Sequence, residues 1–143
     1  MKRRFLADAM LSKAARWLRI FGYDVEVASA READREIAAR ARAEGRVLLT
    51  RDRELAGMVR KSILLSANSP EAQVRWLREH AGIRVPGEPK PVFCSVCNGR
   101  LVRAASPPKH VRFAWRCVDC GQLYWAGSHW KGIKAFVRRV SRK

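Results

Sequence analysis

Four cysteines and a scattered set of aspartates are the residues of this chain whose types and spacing can do chemistry. Cys94-Ser-Val-Cys97 and Cys117-Val-Asp-Cys120 hold every cysteine of the 143 residues, with nineteen residues between the two turns. Each Cys-x-x-Cys turn presents two thiolates from one tight knuckle, and two such turns at this spacing supply the four corners of a tetrahedral zinc site. Disulfides would go with a secretory signal, and Met1-Lys-Arg-Arg-Phe-Leu-Ala-Asp8 has charge but no apolar run of that kind. A redox Cys-x-x-Cys normally stands alone. With Cys94, Cys97, Cys117 and Cys120 filling all four positions, no place is left for water, so the expected zinc is structural. His110 and His129 are then spare.

The second set is acidic. Asp8 closes the run Arg3–Ala7, Asp52 follows the apolar Val47–Thr50, and Asp34 opens a helical stretch after Val25–Ala28. If these runs are strands of one parallel sheet, the three carboxylates share its carboxyl edge, where open α/β sheets meet ligands. Acids gathered in a cationic protein repel one another unless a divalent cation neutralises them. Mg²⁺ or Mn²⁺ held by two or three carboxylates activates water and offsets the charge of a phosphodiester under attack. Glu54 is the preferred additional acid, with Glu32 and Glu36 nearby. Each aspartate also has a plainer reading as a helix N-cap, and at this point both readings stand. Lys13, Arg16 and Arg51 are placed to meet phosphates, with a solvated helix face as the competing role for Lys13. There is no Gly-rich phosphate loop, no Asp-x-Asp at the first strand end and no Gly-x-Ser-x-Gly elbow.

The elements that must position these residues follow from periodicity. Met10, Leu11, Ala14, Ala15, Leu18 and Phe21 recur at helical spacing up to Gly22, with Lys13, Arg16 and Arg19 reading as a basic polar face. A second helix spans Asp34–Glu44 and stops at Gly45; a third runs from about Glu54 to Arg60. Ser62–Ser66 is a fourth strand, and Asn68-Ser-Pro-Glu71 starts a helix with a capping box from Asn68, ending at Gly82. The βα alternation predicts an α/β layer with a parallel sheet over residues 1–84, a Pro-rich linker at 85–90, a zinc ribbon at 91–130 and a basic tail at 131–143.

Thirty Lys and Arg against 13 Asp and Glu leave a net charge of +17, and residues 87–143 hold 12 of the bases but only 2 of the acids. Such one-sided charge points to a polyanion, since compositional bias alone does not strip acids from one part of a chain. No stretch has the apolar length of a transmembrane helix, so a soluble, cytoplasmic protein is expected.

These residues together resemble the PIN-like ribonucleases of the Mut-seven C-terminal RNase domain family, which join a PIN-type α/β domain to a zinc ribbon. The resemblance rests on Phe5-Leu-Ala-Asp8-Ala-Met-Leu-Ser-Lys13-Ala-Ala-Arg16-Trp17-Leu-Arg19, Gly22-Tyr-Asp24, Gly45-Arg-Val-Leu-Leu-Thr50-Arg51-Asp52-Arg53-Glu54-Leu, the two cysteine turns and Tyr124-Trp-Ala-Gly-Ser-His129-Trp130. It implies a PIN-like three-layer fold and a metal-dependent hydrolase acting on RNA, with Asp8, Asp34 and Asp52 as its magnesium or manganese acids. PIN domains usually carry a further acid in the later strand–helix turn, where Ser66-Ala-Asn68-Ser69 stands here. In the ribbon, Trp115, Tyr124, Trp125 and Trp130 lie among Arg112, Arg116, His129 and Lys131, a mixture of rings and cations suited to single-stranded RNA. Packing around the knuckles competes with that role for the rings. The alternative function is a non-catalytic RNA-binding or ribosome-associated protein whose acids only cap helices.

Overall fold

A computed structural model describes residues 3–127 and 129–142; Met1, Lys2, Ser128 of the Tyr124–Trp130 motif and Lys143 lie outside the described residues. The first four strands, β1 (Phe5–Ala7), β2 (Val25–Val27), β3 (Val47–Thr50) and β4 (Ser62–Leu64), form one parallel sheet in the order β2-β1-β3-β4. They alternate with α1 (Ser12–Ile20, entered through a 3-10 turn at Ala9–Leu11), α2 (Asp34–Glu44), α3 (Arg53–Gly57) and α4 (Pro70–His80). Side chains leave successive strand positions on opposite faces. Phe5, Ala7 and Leu49 accordingly pack with α1 and α4, whereas Leu6 and Leu48 pack with Ile37, Ala38 and Ala41 of α2 and with Leu55 just inside α3. The sheet is thus the middle of three layers, as the alternation of elements predicts.

Some boundaries differ from the sequence expectation. The third helix begins at Arg53 and ends by Gly57, and β4 stops at Leu64. Helix α4 is capped by Ser69, whose Oγ accepts from Ala72 N–H at 3.2 Å, rather than by Asn68. A proline at the first helical position suits a cap immediately before it, which favours Ser69 over the residue preceding it.

The ribbon has three short antiparallel strands, β5 (Leu101–Arg103), β6 (Trp115–Cys117) and β7 (Leu123–Tyr124), and it docks on the open edge of β2. Asn98 Oδ1 accepts from Val25 N–H at 3.0 Å, and its amide donates to Asp24 at 2.7 Å and Glu26 at 3.3 Å. Arg19 is a correction to the basic face expected on α1. It is 5 % exposed, and its guanidinium donates to the carbonyls of Val25 (2.8 Å), Ser95 (3.0 Å) and Val96 (3.3 Å). Burial lowers its pKa from the usual arginine value.

The segment expected as a basic tail is a helix, α5 (His129–Ser141), folded back onto the first domain. Phe136 stacks on Trp17 with ring centroids 3.7 Å apart and planes at 2°, and Val137 and Val140 join the same apolar cluster. Its C-terminal carbonyls, left without helical partners, accept from α4: Arg75 donates to Arg139 O at 2.7 Å and Arg78 to Val140 O at 2.7 Å. Arginine at 131–143 is therefore only part of the segment's design; its apolar face at Phe136, Val137 and Val140 is what pulls it out of solvent.

Candidate active site and metal centre

The two cysteine turns meet as their spacing predicts. The four Sγ atoms lie within 4.8 Å of one another, with Cys94 and Cys120 at 3.7 Å and Cys97 and Cys117 at 3.4 Å. Tetrahedral zinc with bonds of about 2.3 Å requires sulfurs nearly 4 Å apart, so the donor set fits the ion. Backbone N–H groups of Gly99, Asp119 and Cys120 point at the sulfurs of Cys97 and Cys117 at 3.4–3.5 Å. Against the burial that would raise it, the N–H groups of Cys120 and Asp119 bring Cys117 down to about 7, while burial pushes Cys97 up to about 12. A Cβ on Gly99 would come within 2.6 Å of Cys117 Sγ, so the first knuckle closes only with glycine there. Tyr124 adds a second shell: its hydroxyl lies 3.0 Å from Cys94 Sγ and 3.2 Å from Ser95 Oγ.

At the carboxyl edge of the sheet, the order β2-β1-β3-β4 places a switch point between β1 and β3. Asp8 leaves the end of β1 there, buried at 8 % exposure, and Thr50-Arg51-Asp52 leaves β3 beside it. Asp8 Oδ1 accepts from Met10 N–H at 2.9 Å, capping the 3-10 turn; Oδ2 accepts from the Thr50 hydroxyl and from Arg51 N–H at 3.4 Å. Thr50 Oγ1 in turn accepts from Asp52 N–H at 3.0 Å. Asp52 Oδ1 caps α3 through Glu54 N–H at 2.8 Å and Leu55 N–H at 3.4 Å, and Oδ2 has no hydrogen-bond partner among the described residues.

Thr50 therefore links the Asp8 carboxylate to the backbone of Asp52, not to its carboxylate. Asp34 is exposed in the first turn of α2, after β2, outside that network; the cap of α2 is Ala33, with Glu36 accepting from Ala33 N–H at 3.3 Å. Glu54 is exposed in the first turn of α3. Among the described residues only the cysteines form a group of three or more ligating side chains within reach of one ion. Carboxylates are nevertheless the hard donors that Mg²⁺ and Mn²⁺ take, and Asp34, Glu54 and Asp52 Oδ2 are uncommitted to other partners among the described residues.

Of the residues expected to meet RNA, Lys13 and Arg16 are exposed along α1. Arg51 is half-buried at the sheet edge and reaches Ser66 O at 3.5 Å. Arg112 and Arg116 are exposed on the ribbon, and His129, Trp130 and Lys131 form the first turn of α5, with Trp130 half-buried. The sequence model of the Mut7-C RNAse domain matches residues 3–137, a span that takes in the sheet edge, the cysteine centre and most of α5. The chain belongs to the Mut7-C RNAse domain family. No curated protein and no solved structure matches it significantly.

In this Mut7-C chain three working residues escape a reading by motif. Thr50 reads as the last residue of a strand, yet its hydroxyl donates to the Asp8 carboxylate and accepts from the Asp52 backbone N–H; the Thr-x-Asp spacing after β3 is its only trace. Arg19 sits four residues after the buried Ala15, so it shares that inward face. Asn98 has φ 68°, a left-handed conformation that Asn tolerates better than most residues, one position beyond the first knuckle.

Proposed function

We propose that this Mut7-C chain is a divalent-cation-dependent ribonuclease that hydrolyses RNA phosphodiester bonds at the carboxyl edge of its PIN-like sheet. The observation that carries the reading is the position of Asp8 and Asp52 at the switch point of the sheet, where the Thr50 hydroxyl links the Asp8 carboxylate to the backbone N–H of Asp52, in a chain of net charge +17. Asp8 and Asp52 are its central acids, and Asp34 and Glu54 the flanking ones. A Mg²⁺ or Mn²⁺ ion bound by such carboxylates supplies a stronger nucleophile from water and offsets charge on the phosphoryl oxygens. Asp8, held on both oxygens, keeps one geometry; Arg51 and the exposed Lys13 and Arg16 hold the anionic strand near it. Zinc in this reading only orders the ribbon, whose Arg112, Arg116, His129, Trp130 and Lys131 add RNA affinity.

The competing reading is a non-catalytic RNA binder, and one observation favours it: both Asp8 and Asp52 do cap helices. Cleavage of a mixed RNA pool by zinc-loaded protein, with and without Mg²⁺ or Mn²⁺, separates the two. The ribonuclease reading expects metal-dependent cleavage that Asp8→Asn abolishes while RNA affinity is kept. Full activity in folded Asp8→Asn would overturn it.

A further inference from the structure

An apolar cleft of about 290 Å³ opens between the ribbon, the linker and the ends of α1 and α5. Trp115, Tyr124, Trp125 and Trp130 line it, together with Ile20 of α1 and Lys90 of the linker. These rings are not absorbed into a core: Trp125 is 39 % exposed and the other three are half-buried. The Trp125 indole lies against Gly127, where an added Cβ would meet Nε1 at 2.9 Å. Lys134 Nζ stands 5.9 Å from the Trp130 ring centre, and the cleft also has polar groups in Ser95 and Tyr124, whose hydroxyls are 3.2 Å apart. It is a ring-lined slot set in a cationic surface.

Its position relative to the aspartates adds the second observation. Lys13, Arg16 and Ile20 follow i, i+3, i+7 spacing and so share one face of α1. That face begins beside Asp8 and ends in the cleft, with both cations exposed. At 1.5 Å per residue the separation of Asp8 from Ile20 along the chain is about 18 Å. A ligand spanning the two must be anionic along its length and carry a flat apolar group at its end. An acidic peptide matches the charge but offers a flat ring only where its sequence holds an aromatic residue, whereas every nucleotide of RNA carries both a phosphate and a base with a stacking face.

We propose that the cleft holds an unpaired base of a single-stranded RNA whose backbone follows Lys13 and Arg16 away from the Asp8–Asp52 edge, a proposal that rests on the ribonuclease reading for the direction of the strand. The aromatic slot is then an anchor several nucleotides from the scissile bond, and it selects single strands because a paired base has no free face to offer.

Binding is measured on the full-length, zinc-loaded chain carrying Asp8→Asn, so that RNA stays intact, with single-stranded oligoribonucleotides of about a dozen nucleotides. Trp125→Ala should weaken binding roughly 5- to 100-fold, the effect of losing one stacked base, with the salt dependence unchanged. Trp125→Leu, which keeps an apolar side chain in the cleft but has no ring to stack, should show the same loss. Parent-like affinity in Trp125→Leu would overturn the stacking role, because the loss in Trp125→Ala would then come from truncation of the packing. Lys13→Gln with Arg16→Gln should instead flatten the salt slope by about 0.7 per phosphate contact. One abasic position in the oligonucleotide should reproduce the tryptophan loss and add nothing to it in Trp125→Ala. Phe113→Ala, removing an exposed ribbon ring under the Arg103 guanidinium at 4.0 Å and outside the cleft, should bind as the parent does. Parent-like affinity in either Trp125 variant, equal cost at every abasic position, or an acidic peptide that binds through Trp125 without competing with RNA would overturn the proposal. The same oligonucleotides given to protein with Asp8 intact keep the two readings apart. Position-specific binding without any cleavage retains the cleft and removes the ribonuclease, whereas cleavage indifferent to Trp125 does the reverse.

Discussion

The α/β domain keeps Phe5, Leu6, Leu18, Leu48, Val74 and Leu77 wholly out of water, whereas between Val92 and Trp125 the buried apolar residues are Ala114, Cys94 and Cys117 alone among those described. Burial of each large side chain contributes about 1.5–3 kcal/mol, so the first region can balance its conformational entropy from its own layers. The ribbon cannot. It depends on the cysteine centre and on hydrogen bonds lent by the other region, chiefly from Arg19 and to Asn98. Metal order and apolar order thus coexist in one family unit, and the contacts between them decide how independent they are. The proposed function divides along the same line: the sheet would present the acids, and the ribbon, with few groups committed to a core, would offer its rings and cations to the RNA.

The largest effect expected is on removal of the metal. Protein prepared without added zinc should carry close to one equivalent, and Cys97→Ser or a strong chelator should abolish ribbon structure while far-UV circular dichroism keeps the helices of the α/β domain. Loss of all helical signal together with the zinc would break the comparison, since it would make the apolar layers depend on the ion.

Phe136→Ala tests the other side. It removes the ring stacked on Trp17 and should cost about 3–5 kcal/mol in denaturant unfolding, with zinc content unchanged in the folded fraction. A cost under about 1 kcal/mol would mean that α5 is a surface appendage after all.

Arg19→Met addresses the contact itself. Three carbonyls lose a donor, and a stability loss of about 1–3 kcal/mol should be accompanied by faster zinc release to a chelator. Unchanged release kinetics would show that the knuckle holds its shape without the α/β domain.

The smallest effect is electrostatic. Asp24 lies partly buried, which alone would raise its pKa, but the Arg46 guanidinium at 2.8 Å and the Asn98 amide hold it below the usual carboxylate value. A depressed folded-state pKa contributes stability above the unfolded value, near 4, and that contribution is lost as pH falls through the folded one. Stability should therefore decline on acidification below about pH 4, and Asp24→Asn should flatten the decline. Equal acid limbs for the two proteins would remove Asp24 from the docking contact.

Much of this was legible in the residues themselves. The four-cysteine centre could be read from two Cys-x-x-Cys turns because such a site is local: each knuckle folds within a few residues, and spacing constrains the rest. The three-layer sheet could be read from apolar runs alternating with helical periods, because the periods of 2 and 3.6 residues are imposed by the backbone. The placement of Asp8 and Asp52 at the sheet edge follows from that same pattern, since both end apolar strands. What only the tertiary structure decided are the contacts between residues far apart in the chain. Nothing near Arg19 announces that Ser95 and Val96 will supply its acceptors, and a count of charges made the last segment a tail although Phe136, Val137 and Val140 draw it onto Trp17 and α4. Thr50 belongs to the same class: a hydroxyl at a strand end is unremarkable in sequence, and it reaches the Asp8 carboxylate only once β1 and β3 pair. The physical reason is that propensity and spacing act along the chain, whereas burial and hydrogen-bond satisfaction are settled by whichever surfaces the folded layers bring together.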